Sequence, residues 1–290
     1  MRFFLSIALW FCCYPLIFGQ TLTDDIGKIV EGKRATVGVA VIHGDDVYTV
    51  SNDVKYPVMS VFKFHIALTA LKKMEDEGIS LDEKVILEKK QMRKNTYSPL
   101  RNKFPNQRIR ISYREILRYT VAESDNNTCD WLIDFVGGIG QVDAYIRSLG
   151  IKDFHFSETE HSMHVDLMRC YNNWSTPLAM AQLLKKVYTE QVLSKEHFAF
   201  LEKTMLNCAS GKDKLIAGLP SGVKLAHKTG HSDRLKDGTL ICDADAGVVY
   251  LPNGNKAYIV VFIKDSREND RENAKIMADI CLVTYRYLSK

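Results

Sequence analysis

A serine followed three residues later by a lysine stands at the mouth of a strongly apolar run, Met59-Ser60-Val61-Phe62-Lys63. On a helix that spacing puts Ser60 and Lys63 on one face, one turn apart, so the lysine amine can reach the serine hydroxyl. A hydroxyl is a weak nucleophile at neutral pH and becomes a useful one beside a base. The same residues also read as a helix N-cap followed by a solvated lysine. Spacing alone does not decide, because Ser221-Gly222-Val223-Lys224 repeats it. Three further groups follow in chain order: Ser124-Asp125-Asn126, Glu160, and Lys228-Thr229-Gly230. They add a second hydroxyl, a carboxylate and a second amine, the side-chain types that move protons around a nucleophile.

The chain that must position them has 290 residues, enough for one large domain or two interleaved ones with a sizeable core. Its 46% hydrophobic and 26% charged residues are ordinary for a soluble globular protein. A net charge of +4, or +3 once Arg2 is removed with a leader, is too small to argue for a nucleic-acid partner. The basic stretch from Arg93 to Arg118 is interrupted by Pro99 and Pro105 and reads as solvated surface, with a polyanion site as the alternative. Met1-Arg2 and the apolar run Phe3 to Phe18 are too short for a spanning helix and read as a secretory signal ending near Gly19 or Gln20. The expected mature protein is exported, with no membrane anchor after cleavage. Five cysteines remain, Cys129, Cys170, Cys208, Cys242 and Cys281, with no Cys-x-x-Cys pair to suggest zinc. They are expected to be buried free thiols.

Periodicity outlines the elements. Thr21 to Glu31 reads as a helix, and Thr36 to Ile42 with Val47 to Val50 as a hairpin. Pro57 breaks the chain before Ser60. Val61 to Met74 is apolar at almost every position, a helix buried all round, closed by Gly78. Helices are expected from about Ser112, Thr128, Ile139, Thr176-Pro177 and Ser194. Lys228-Thr229-Gly230 falls on a strand facing the cleft, and Thr239 to Leu251 on one strand or a pair. A further strand runs from Lys256 to Lys264, and Glu268 to Leu288 closes the chain as a helix. Strands at both ends with helices between predict one antiparallel five-stranded sheet built from both chain ends, flanked by helices, with an inserted helical domain. The expected division is signal peptide 1–19, α/β domain 20–56 with 212–290, and helical domain 57–211. Lys152 to Ser175 shows no periodicity and is long for a structureless connection, which marks it as functional or disordered.

The serine–lysine, Ser-Asp-Asn and Lys-Thr-Gly motifs are the set carried by class A β-lactamases and penicillin-binding proteins. Over the whole mature chain the sequence resembles class A serine β-lactamases. The intervals of 36 residues from Ser124 to Glu160 and 68 from Glu160 to Lys228 match that family. The 64 residues from Ser60 to Ser124 are slightly long and point to a small insertion. Tyr97-Ser98-Pro99 resembles the family's tyrosine at the cleft edge. One departure is informative. Four residues after Glu160, where most of the family has asparagine, stands His164, and Asn173-Trp174-Ser175 follows. Both features resemble the PER-type subgroup with its extended loop. That spacing favours Glu160 over Glu158 as the loop base.

The resemblance implies a serine β-lactamase/DD-peptidase fold and a defined chemistry. Ser60 attacks the lactam carbonyl and forms an acyl-enzyme. The backbone N–H groups of Ser60 and His231 form the oxyanion hole. Lys63, Ser124 and Lys228 form a hydroxyl–amine network, and Ser124 passes a proton to the departing nitrogen. Lys228 and Thr229, with Gly230, His231 and Ser232 after them, meet the substrate, and Asn126 orients Lys63 and the substrate amide. Glu160 activates the water that hydrolyses the ester. Either Lys63 or Glu160 serves as acylation base. No metal or cofactor is expected, and the partner is a small β-lactam. Two readings compete: a penicillin-binding DD-peptidase, and a non-hydrolytic β-lactam sensor domain. Monomer and periplasm are the expected state and location.

Overall fold

The computed structural model describes residues 21–290; the expected signal segment, 1–19, lies outside them. Helix α1 (Leu22–Val30) is capped by Thr21, whose hydroxyl accepts the Asp24 N–H while the Asp24 carboxylate accepts the Thr21 N–H. Strands β1 (Thr36–His43) and β2 (Asp46–Val50) form the expected hairpin. The short β3 (Tyr56–Pro57) leads to α2 (Phe62–Glu77), which ends on Gly78 at φ +67, the left-handed cap that glycine adopts without strain. Strands β4 (Lys84–Leu87) and β5 (Ile109–Ser112) pair around an excursion containing α3 (Pro99–Lys103). Helices α4 (Tyr113–Val121), α5 (Asn126–Phe135) and α6 (Ile139–Ser148) follow. Two-residue strands β6 (Phe154–His155) and β7 (Trp174–Ser175) bracket α7 (Glu160–Val165). Then come α8 (Pro177–Thr189), α9 (Lys195–Leu206), the long strands β8 (Leu225–His231), β9 (Leu240–Tyr250) and β10 (Lys256–Ser266), and α10 (Asp270–Leu288).

The main sheet has five antiparallel strands in the order β2-β1-β10-β9-β8. It closes only when the chain ends meet, with β1 pairing β10 from Thr36↔Lys264 to His43↔Ala257. Side chains alternate between its faces. Val37, Val39 and Val41 join Ile259, Val261 and Ile263 against Ile26 of α1 and Ile276, Met277 and Ile280 of α10. Ala40, Ile42, Val260 and Phe262 face the other way, into the core that holds α2 and α8. Every residue of α2 from Phe62 to Leu71 is buried, so its N-terminus opens inside the molecule.

Of the two readings of Thr239 to Leu251, the structure takes the single strand: β9 runs unbroken from Leu240 to Tyr250, with Asp243 and Asp245 buried and paired with Lys214 and His227. Lys152 to Ser175 is not structureless: it carries α7 and a 3-10 turn over Leu167–Asn172. Side-chain bonds to backbone hold it. Asn173, fully buried, accepts the N–H groups of Ser157 and Glu158, each at 2.9 Å, and donates to the Glu158 carbonyl at 2.9 Å. The Arg93 to Arg118 stretch is surface, yet Arg101 organises it by donating to the carbonyls of Arg93, Lys94 and Thr96 at 2.6–2.8 Å.

The turn before α5 depends on Asp125, which is fully buried. Its carboxylate accepts the Ser98 hydroxyl at 2.7 Å, the Leu100 N–H at 2.8 Å and the Thr128 N–H at 3.0 Å. Asp125→Ala leaves buried donors unmatched, so unfolding in urea should show a loss of about 2–3 kcal/mol. A stability within a few tenths of a kcal/mol of the parent would contradict this account.

Candidate active site

Ser60 lies in a 3-10 turn, Met59–Val61, that runs directly into α2. It is not an N-cap: Val61 takes that position and no side chain caps the helix. Lys63 is not solvated either, since its exposure is 0%. The alternative reading of this pair as a capped, solvent-facing turn therefore fails. The uncapped N–H groups of α2 are left at the cleft, at the positive end of the helix dipole. Met59 is held at φ +41 and Ser124 at φ +57, a region where a side chain costs roughly 1–3 kcal/mol. Packing on both sides fixes these two turns against that strain.

The Lys63 amine joins the groups that the sequence singled out. Its Nζ lies 2.9 Å from Ser60 Oγ, 2.8 Å from the Ser124 carbonyl, 2.6 Å from Asn126 Oδ1 and 2.9 Å from Glu160 Oε1. Ser124 Oγ is 3.4 Å away, and Ser60 Oγ stands 3.4 Å from Glu160 Oε1. A second buried amine, Lys228 Nζ, donates to Ser124 Oγ at 3.0 Å and to the Thr229 carbonyl at 2.8 Å. Burial lowers the Lys228 amine to about 8; Lys63 lowers it further, while negative neighbours, Cys208 foremost, raise it.

A cavity of about 560 Å³ opens over this network. Ser60, Tyr97, Ser124, Asn126, Glu160, His164, Thr229, Gly230, His231 and Ser232 all line it, while Lys63 and Lys228 lie behind the wall. Tyr97 is 61% exposed and stands at the rim rather than in the core. Strand β8 is an edge of the sheet, and its Gly230 abuts the nucleophile turn. A Cβ there would lie 2.6 Å from the Val58 carbonyl oxygen and 3.1 Å from the Ser60 nitrogen, so only glycine permits the approach. Glu158 points elsewhere, bonded to Asn172 and Arg169.

Sequence reasoning missed several supports. Asp130 accepts the Glu160 N–H at 2.8 Å and the His161 N–H at 3.1 Å, and pairs with Arg93 at 2.5 Å. Burial, with the Glu160 charge behind it, raises Asp130 to about 6. Thr96 Oγ1 accepts from Asn126 Nδ2 at 2.8 Å. Lys214 is paired with Asp243, which also lies 3.2 Å from His231 Nδ1. Only pairing across distant segments reveals these partners, and no local spacing announces them. The cysteines among the described residues are free; four are buried and Cys208 is partly exposed.

Comparison with known proteins agrees with this geometry. Residues 21–288 match the model of the "Beta-lactamase enzyme family". A β-lactamase of Bacteroides uniformis is 43% identical over 98% of both chains. The extended-spectrum β-lactamase PER-1 of Pseudomonas aeruginosa is 35% identical over 92% of this chain and 87% of its own length. A class A β-lactamase from Bacteroides cellulosilyticus superposes with a TM-score of 0.90 at 44% identity, over 93% of this chain and 99% of that one. With the family match spanning nearly all described residues and the serine–lysine centre at its heart, the chain belongs to the class A β-lactamases.

Proposed function

We propose that this protein hydrolyses β-lactam antibiotics, penicillins and cephalosporins, through an acyl-enzyme on Ser60, and so confers resistance to them. The observation that carries the reading is the Lys63 amine, 2.9 Å from both Ser60 Oγ and Glu160 Oε1. In this reading the Ser60 proton leaves toward the Lys63–Glu160 pair as the oxygen attacks the lactam carbonyl. The backbone N–H groups of Ser60 and His231 receive the developing oxyanion, supported by the close approach of Gly230 to the Ser60 nitrogen. Ser124, held by Lys228, delivers a proton to the lactam nitrogen and breaks the ring. Lys228 and Thr229 draw in the substrate carboxylate, with His231 and Ser232 beside them. Asn126 orients the substrate amide, Tyr97 borders it, and His164 lines the water side of the cleft. Glu160 then takes a proton from water, which attacks the ester and frees Ser60.

Cephalosporins are included because a relative named as extended-spectrum shares a third of the sequence. Export to the periplasm is part of the same proposal, and it rests on the apolar leader. Among the described residues no helix is long and apolar enough to cross a membrane.

The deciding experiment follows a chromogenic cephalosporin at large excess. The parent should turn over continuously and Ser60→Ala should be inactive. Glu160→Gln should release one equivalent of product and then slow by about 10²–10⁴-fold, the usual contribution of a general base. Parent-like turnover in Glu160→Gln would sink the mechanism. A single burst in the parent itself would mean acylation without deacylation, as in a DD-peptidase or sensor.

The alkaline limb follows from Lys228. Below about pH 8 the buried group is an ammonium that attracts a carboxylate; above it, the neutral amine does not. KM for a carboxylate-bearing β-lactam should therefore rise as pH passes about 8, with kcat less affected. A KM that stays flat well into the alkaline range would remove Lys228 from substrate binding.

A further inference from the structure

One buried cluster lies outside the hydroxyl–amine network. Asp245, fully buried in the middle of β9, has its Oδ1 2.9 Å from Nδ1 of His227, the residue before Lys228. Cys208 lies beside the same ring, close enough for the His227 charge to act on its thiol. Cys208 follows α9, is partly exposed, and is flanked by exposed Asn207 and Ala209. Carboxylate, imidazole and thiol thus stand in the order that activates a cysteine: the acid orients the ring, the ring holds the proton, and a thiolate is left as nucleophile. Burial opposes charge on Cys208, but His227 and the positive Lys228 beside it prevail and draw it down to about 6. Burial likewise opposes charge on His227, and Asp245 and Cys208 raise it to about 10. The other four thiols are buried and go the opposite way, Cys170 to about 12 and Cys129, Cys242 and Cys281 upward as well.

The cluster meets the substrate cavity at two points. Cys208 Sγ lies 3.5 Å from Ser210 Oγ, which lies 2.5 Å from Thr229 Oγ1, and both hydroxyls belong to residues lining the cavity. The negative charge on Cys208 also supports the buried Lys228 ammonium.

We propose that Cys208 is a thiol-modification site, activated by His227 and Asp245, at which a small disulfide forms a mixed disulfide that slows turnover from behind Thr229 and Lys228. The Cys208 thiolate attacks one sulfur of the disulfide. A protein S–S bond forms as the reagent's S–S bond breaks, and the departing thiolate takes a proton from water. One disulfide is consumed and one thiol released, so no further oxidant is needed. The adduct removes the negative charge beside Lys228 and crowds Ser210 away from Thr229.

The test treats the folded protein with hydroxyethyl disulfide at neutral pH, maps the adduct by mass spectrometry, and measures β-lactam hydrolysis in parallel. A single adduct on Cys208 is expected, with kcat/KM falling by about tenfold or more on the same time course and returning with dithiothreitol. Cys208→Ser, which has already lost the thiolate charge, should show no further loss of turnover in the reagent. Absence of a Cys208 adduct in the folded protein, while the denatured chain is labelled, overturns the site. An adduct with unchanged kcat/KM, or equal inhibition of Cys208→Ser, overturns its control of turnover. Mapping by mass rests only on the thiol cluster, so its result stands apart from the β-lactam reading on which the kinetic arm depends.

Discussion

The structure is built around a lysine amine, that of Lys63, with no access to water. Moving an ammonium into a protein interior costs several kcal/mol unless its protons are matched. Lys63 Nζ has three protons and five oxygens within 3.4 Å, from Ser60, Ser124, Asn126 and Glu160. Those oxygens come from three separate segments, and each must arrive within a few tenths of an ångström. The apolar sequence of α2 buries the lysine, and the polar turns around it then have to be shaped to meet it. That demand accounts for the positive φ at Ser124, which turns its carbonyl onto the amine. It also accounts for Asp125, which caps α5 and holds the next residue, Asn126, in place.

The loop carrying Glu160 meets the demand differently. It sinks Phe154, Phe156, Met163 and Cys170 into the core, and polar side chains hold the backbone between those anchors. Asn173 grips Ser157 and Glu158, and its own carbonyl accepts the Val58 N–H at 3.2 Å, two residues before Ser60. One buried asparagine thus ties the carboxylate loop to the nucleophile turn. Asp130 grips the first N–H groups of α7 from the other side. In the proposed cycle a water must sit between Glu160 and an ester on Ser60, and the two clamps set that separation.

This division of labour also explains what could be read from the sequence. The buried helix, the terminal strands and the capped helices were legible because apolar periodicity and caps are local signals; Thr21, Ser112, Thr176 and Ser194 all cap as their positions suggest. The serine–lysine pair, the second serine, the loop glutamate and the lysine of β8 were legible as motifs in order. The loop from Lys152 to Ser175 was not, because its order comes from Asn173 and Asp130 reaching across 15 and 30 residues to backbone groups. Strand β9 was blurred for a related reason. Asp245-Ala246-Gly247 looks like a turn until His227, from another strand, pairs with Asp245 inside the sheet.

The placement of Ser124 between two amines shows why its hydroxyl suits the role proposed for it. Its Oγ accepts from Lys228 at 3.0 Å, and Lys63 stands at 3.4 Å. An amine that is protonated can only donate, so the lone pairs of Oγ face the lysines and its own proton must point away from them. The remaining direction is the cavity that Ser124 lines. Positive charge behind a hydroxyl also makes its proton easier to release. A leaving nitrogen arriving in the cavity therefore meets a donor already aimed and acidified. Lys228, lowered to about 8 and not fully committed to its charge, can replace the proton that Ser124 gives up. Burial of the second lysine, unfavourable for stability taken alone, is what poises it for that exchange.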